Sequence, residues 1–109
     1  MRDISVEKIR DAVAVLCREA CYYLPEDIVQ GFHKALETEQ SPLGKSILEQ
    51  LIENAQLAAK EARPCCHDTG IAVVYAEVGQ DVHIVGGDFE TAIHEGVRKG
   101  YKEGYLRNS

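Results

Sequence analysis

The chain reads as an α+β domain: three helices first, then a small β-sheet or hairpin, then a closing helix striped with glycine. Three observations predict this. Apolar residues recur at three- and four-residue steps through the first 62 positions, which is the helical period. The texture then switches at IAVVYAEV, which is rich in the β-branched residues that favour strands. Finally, FETAIHEGVRKGYKEGYL returns to a helical pattern with a small residue at every fourth position.

Val6, Ile9, Val13, Leu16 and Ala20 mark one face of a first helix over about 5–22, with Asp3 or Ser5 able to cap it. LPEDIVQGF restarts the pattern. Pro25 suits a first helical turn, Glu26 and Asp27 favour its positive end, and Ile28, Phe32 and Leu36 form a short stripe. Ser41 and Pro42 open a third helix whose buried face runs from Ile47 and Leu48 through Leu51, Ile52, Ala55 and Ala58 to Ala59. It should reach about Ala62, with Pro64 as its stop.

IAVVYAEV reads as a largely buried strand, Gly79 to Asp81 as a turn, and VHIV as a second short strand. Gly86 and Gly87 break it, and Asp88 can cap the last helix. No stop signal precedes the end of the chain after Arg107, which predicts a fragment or one segment of a larger body. Ala92, Gly96, Gly100 and Gly104 lie four apart on that helix. An interior glycine costs about 1 kcal/mol relative to alanine. Such a row implies either close approach of another backbone or a ligand lying on that face.

Bulk properties narrow the function. A length of 109 residues suits one domain, expected to span 1–109, and 45% apolar with 28% charged residues is ordinary for a folded chain. A net charge of −6 disfavours nucleic acid as a partner. No apolar run has the length of a membrane span, and MRDISVEKIRD lacks the apolar core of a secretory signal. A cytoplasmic setting with four reduced cysteines is therefore expected.

Chemistry concentrates in the CCHDTG turn, between a helix end and an apolar run. Gly70 gives this turn backbone freedom. Three readings stand. Asp68 and Thr69 stabilise the turn while a cysteine packs inward; a cysteine nucleophile uses His67 as base; or a cysteine holds a metal or cluster beside an acid–base carboxylate. Cys17 and Cys21, one helical turn apart, read as core residues, or as zinc ligands together with Cys65 and Cys66. His33, His83 and His94 are isolated and read as surface or core histidines.

The motifs in order, YYLPEDI, SPLGKSILEQLIENAQLA, PCCHDTG and GQDVHIVGGDFETAIHEGVRKGYKEGYLR, span nearly the whole chain. In this order the chain closely resembles the N-terminal part of the alpha subunit, or alpha region, of iron–sulfur-dependent class I fumarate hydratases and the related tartrate dehydratases. The resemblance implies a hydro-lyase of the tricarboxylic acid cycle that interconverts fumarate and malate, with tartrate dehydration or a non-catalytic interaction module as alternatives. It implies that Cys66 is a ligand of a [4Fe-4S] cluster and that Asp68 serves substrate binding and acid–base chemistry. His67 stands where the family has a substrate-contacting glutamine, and Arg107 matches an arginine that clamps a substrate carboxylate. Cys65 lies at a non-ligand position and is expected to pack. Two further cluster cysteines belong to the remainder of the alpha region, and the beta subunit supplies other groups. The resemblance therefore implies an oligomer with these partners, and 109 residues that are inactive alone.

Overall fold

Ser5 is where a strand becomes a helix. In a computed structural model, which describes residues 2–66 and 70–106, it ends β1 (Arg2–Ser5) and caps α1 (Val6–Tyr22). Its hydroxyl accepts a hydrogen bond from the Lys8 N–H at 3.3 Å, satisfying one of the helix's free donors. Then follow α2 (Glu26–Thr38), α3 (Pro42–Glu61), β2 (Val82–Val85) and α4 (Phe89–Glu103). Ser41 caps α3 through the Gly44 N–H at 3.3 Å, and the Asp88 carboxylate caps α4 through the Thr91 N–H at 3.0 Å. The α+β class and all four helices stand as expected.

The sheet differs from expectation. It has two strands, and β2 pairs in parallel with β1, from Arg2 opposite Val82 to Ser5 opposite Val85. No hairpin joins β2 to IAVVYAEV; RDIS lies along β2 instead, and the Arg2 N–H reaches the Asp81 carbonyl at 2.8 Å. Residues 70–79 form neither helix nor strand until the turn at Gln80. They are exposed rather than buried: Ile71 keeps 86% and Tyr75 92% of its surface accessible. Strand propensity measures fit to a half-buried pleated surface, and this segment meets none among the described residues.

The closing helix also stops earlier than expected. The Gly104 N–H bonds Gly100, Tyr105 takes the left-handed conformation at φ 57°, and the Leu106 N–H returns to the Tyr101 carbonyl at 2.9 Å. This is the wrap-around ending of a Schellman-type cap, with the left-handed position falling to tyrosine instead of glycine. Leu106 is buried as the cap closes.

The core lies between α1 and α4, and the glycine row explains how they meet. A Cβ on Gly96 would stand 2.6 Å from the Arg10 carbonyl oxygen, and one on Gly100 2.7 Å from that of Ala14. Only hydrogen fits there, so the row is a backbone-to-backbone contact, the first of the two expectations. Val13, Ala14 and Ala92 are buried along this seam. Arg18 pairs with Glu103 at 2.9 Å, Lys99 with Asp11 at 2.8 Å, and the Tyr22 hydroxyl donates to the Gly104 carbonyl at 3.0 Å. Exposed ion pairs of this kind add little to stability, because water and salt screen them.

Helices α2 and α3 pack on each other and lean away from this body. The chain measures 58 × 28 × 22 Å with a radius of gyration of 17.9 Å, against about 13 Å for a compact domain of this length. Leu43, Ile47, Leu51 and Leu57 of α3 are exposed, so Ile47 and Leu51 do not join the buried face expected of that helix. Among the described residues, no helix is long and apolar enough to cross a membrane.

Candidate functional site

The end of α3 delivers the cysteine turn to the C-terminal end of α1. Ala62 adopts the left-handed conformation at φ 52°, and the Arg63 N–H folds back to the Ala58 carbonyl at 3.0 Å. The helix therefore ends three residues before Pro64, by a backbone cap. Cys65 is then held at both of its peptide groups. Its N–H donates to the Cys21 carbonyl at 2.9 Å, and its carbonyl accepts from the Asn54 side-chain amide at 2.6 Å. Cys21 lies in the last turn of α1, whose final carbonyls lack helical partners, so the first bond also satisfies a helix end.

The four thiols divide by environment. Cys17, Cys21 and Cys65 are half-buried, and Cys66 is exposed. Burial pushes the Cys17 and Cys21 thiols up, with neighbouring Cys21 adding to the first effect and Cys65 to the second. No group of three His, Cys, Asp or Glu residues is arranged to hold a metal ion among the described residues, and the four cysteines do not converge as a zinc site needs.

Cys66 is the last described residue before Gly70, which takes φ 65° and so uses the freedom only glycine has at no cost. His67 and Asp68, and with them Thr69, lie outside the described residues, as does Arg107. The structure thus places Cys66 at the surface, beside the junction of α1 and α3, and leaves the other three expected site residues without a described position. His33, His83 and His94 sit on α2, β2 and α4 respectively, so they do not share an element.

Beyond Gly70, residues 71–75 cross the α1/α4 pair and roof a groove of about 450 Å³ walled by Leu16, Cys17, Cys21 and Tyr101. Its lining is largely apolar, which suits packing better than recognition of a charged metabolite. Sequence reasoning missed Asn54 as the anchor of the cysteine turn. The available signal was an asparagine, a poor helix former, in the middle of a long helix.

Comparison with known proteins bears on the whole chain. Residues 10–109 match the family described as Fumarate hydratase (Fumerase). A Methanocaldococcus jannaschii protein named "Putative L(+)-tartrate dehydratase subunit alpha" is 37% identical over 106 residues, covering 92% of this chain and 35% of that protein. The anaerobic class I fumarate hydratase of Escherichia coli is 40% identical over 73 residues, 67% of this chain and 13% of that enzyme. The L(+)-tartrate dehydratase subunit alpha of Escherichia coli is 26% identical over 105 residues, 96% of this chain and 34% of that subunit. The chain spans about a third of the length of the alpha subunits it matches, and less of the fumarate hydratase. A match reaching from α1 through the cysteine turn to the residues after α4 makes this chain a member of the fumarate hydratase (Fumerase) family, and the relatives it resembles are hydro-lyases.

Proposed function

We propose that the chain is the N-terminal segment of the alpha part of a [4Fe-4S]-dependent hydro-lyase that hydrates fumarate reversibly to malate. It works only in assembly with the rest of that alpha part and a beta subunit, as a cytoplasmic oligomer. One observation carries the reading. Of the four cysteines, Cys66 alone is exposed, and it is the one whose position the family resemblance assigns to a cluster. A thiol shared with ligands from elsewhere must be reachable from outside its own domain.

The donor set fits in kind. Cys66 offers one soft thiolate, suited to iron, on a turn whose preceding residue is fixed by two hydrogen bonds. When bound, a cluster held by three cysteines supplies an iron that acts as a Lewis acid and makes hydroxide a better leaving group. Three of the chain's own residues would add to this. Asp68 exchanges a proton with substrate, His67 donates a hydrogen bond to it, and Arg107 grips a carboxylate with its planar two-pronged fork. An arginine is apt because the chain's net charge of −6 otherwise repels a dicarboxylate.

L(+)-tartrate is the second reading, favoured by the match of nearly the whole chain to tartrate dehydratase alpha subunits. His67 is where the two would part, because its imidazole differs in reach and charge from the family's glutamine. The deciding experiment purifies the chain with its alpha extension and beta partner without oxygen. Iron, sulfide, fumarate hydration and tartrate dehydration are then measured for wild type and Cys66→Ser. Cluster and fumarate turnover in the wild type, both lost in Cys66→Ser, is the expected result. An intact cluster in the variant would overturn the ligand assignment, and turnover of tartrate alone would overturn the substrate.

A further inference from the structure

We propose that Cys21 and Cys65 are a disulfide-forming pair, a site of reversible oxidation by hydrogen peroxide that ties the cysteine turn to the end of α1. Their backbones are already joined by the 2.9 Å hydrogen bond from the Cys65 N–H to the Cys21 carbonyl. Backbone bond lengths, with the bend at the carbonyl carbon, limit the separation of the two Cα atoms to at most about 6.8 Å across that bond. Disulfides form at Cα separations of roughly 4.4–6.8 Å, so the two backbones are already within reach of one.

Three further features single out this pair. The peptide of Cys65 is immobilised on its other side by Asn54 at 2.6 Å, so the geometry is held. Both thiols are half-buried, which leaves them reachable by a small oxidant. Burial and, after it, the neighbouring Cys65 both raise the Cys21 thiol, in keeping with two sulfurs near one another. The alternatives are poorer. Cys17 and Cys21 are bound into one helix, and Cys65 and Cys66 are neighbours whose side chains diverge along the backbone.

The chemistry balances with peroxide as the oxidant. One thiolate sulfur attacks the O–O bond, which breaks to leave a sulfenic acid and, after protonation, water. The second thiol then displaces hydroxide from that sulfur, forming the S–S bond and a second water. Two thiols are oxidised by two electrons and one peroxide becomes two waters. The closed ring would contain the whole of α2 and α3, the pair of helices that otherwise leans away from the α1/α4 body. A small thiol reductant reverses it. The proposal does not depend on the cluster reading, because its test follows thiols and not turnover.

The test uses the purified full protein with any subunit that accompanies it. Limiting peroxide is added, free thiols are alkylated, and tryptic peptides are mapped by mass spectrometry. Cleavage separates Cys17 (residues 11–18) from Cys21 (19–34), while Cys65 and Cys66 share residues 61–98 and are resolved by fragmentation. The expected product links 19–34 to 61–98 through Cys65, is lighter than its two peptides by two hydrogens, and disappears on reduction. It persists in Cys66→Ser and is lost in Cys65→Ser. A link through Cys66 or Cys17 would overturn the proposal. So would alkylation of both Cys21 and Cys65 at a peroxide dose that oxidises Cys66. If the Cys65 variant folds poorly, wild type and Cys66→Ser are enough to decide between these outcomes.

Discussion

Replacing Gly100 with alanine should lower stability although alanine is the better helix former. In isolation the change favours the helix by about 1 kcal/mol. Here the new methyl would lie 2.7 Å from the Ala14 carbonyl oxygen, 3.0 Å from the Ala14 Cα and 3.0 Å from the Cys17 Cβ. Two of those three are backbone atoms of α1, so no side chain can rotate aside and the helices must separate. Overpacking of this kind costs about 1–3 kcal/mol, and a gap of about 0.5–1 Å forfeits a quarter to a half of each neighbouring contact. The net expectation is a loss of about 1 kcal/mol, or about 4 °C in thermal midpoint for a chain of this size. Gly31, in the middle of α2, supplies the control, because a Cβ there meets nothing within 4 Å. Gly31→Ala should therefore raise the midpoint by about 4 °C, which is the propensity gain alone. Melts followed by far-ultraviolet circular dichroism compare the two. If Gly100→Ala stabilised as much as Gly31→Ala, the seam would not be the close contact described.

Two other outcomes follow from local geometry. Ala62→Gly should stabilise by about 0.5–1 kcal/mol, because Ala62 occupies the left-handed region at φ 52° where a Cβ is penalised; an unchanged or lower thermal midpoint would count against that. Asp88 is held below the usual carboxylate range by the Thr91 N–H and then by the Thr91 hydroxyl, so its contribution is present above the ordinary carboxylate pKa and lost as pH falls through the lowered one. Urea unfolding of wild type and Asp88→Asn should differ by a constant amount from neutral pH to about pH 5, and the gap should close only as pH falls below the ordinary carboxylate value and through the lowered one, whereas a constant gap throughout would refute the charged cap.

What the sequence discloses and what it hides divide along physical lines. Helix starts were legible because Ser5, Ser41 and Asp88 are local devices: each side chain reaches a backbone N–H three residues on. The glycine row was legible because three costly residues on one face demand a compensation, and close packing supplies it. The sheet was not. RDIS carries two charges and no alternation, and its pairing with VHIV depends on the path of the whole chain between them. IAVVYAEV has the composition of a strand, but composition cannot supply a neighbour. At the site, the motif was enough to single out Cys66 as a candidate, whereas the grip of Asn54 and Cys21 on Cys65 required three-dimensional contact between α1, α3 and the turn.

The seam between α1 and α4 also sets a timetable. Its members are far apart in sequence: Arg18 and Glu103, which pair across it, are separated by 85 positions. A chain emerging from the ribosome at about 5–20 residues per second leaves roughly 4–17 s between the appearance of one partner and the other. During that interval the Ala14 face of α1 has no glycine row to receive it. Helices α2 and α3 are adjacent in sequence and can pair at once. The peripheral hairpin would then form first and the core last, with the longest loop closed only when α4 arrives. Synthesis order and structural centrality run in opposite directions in this chain.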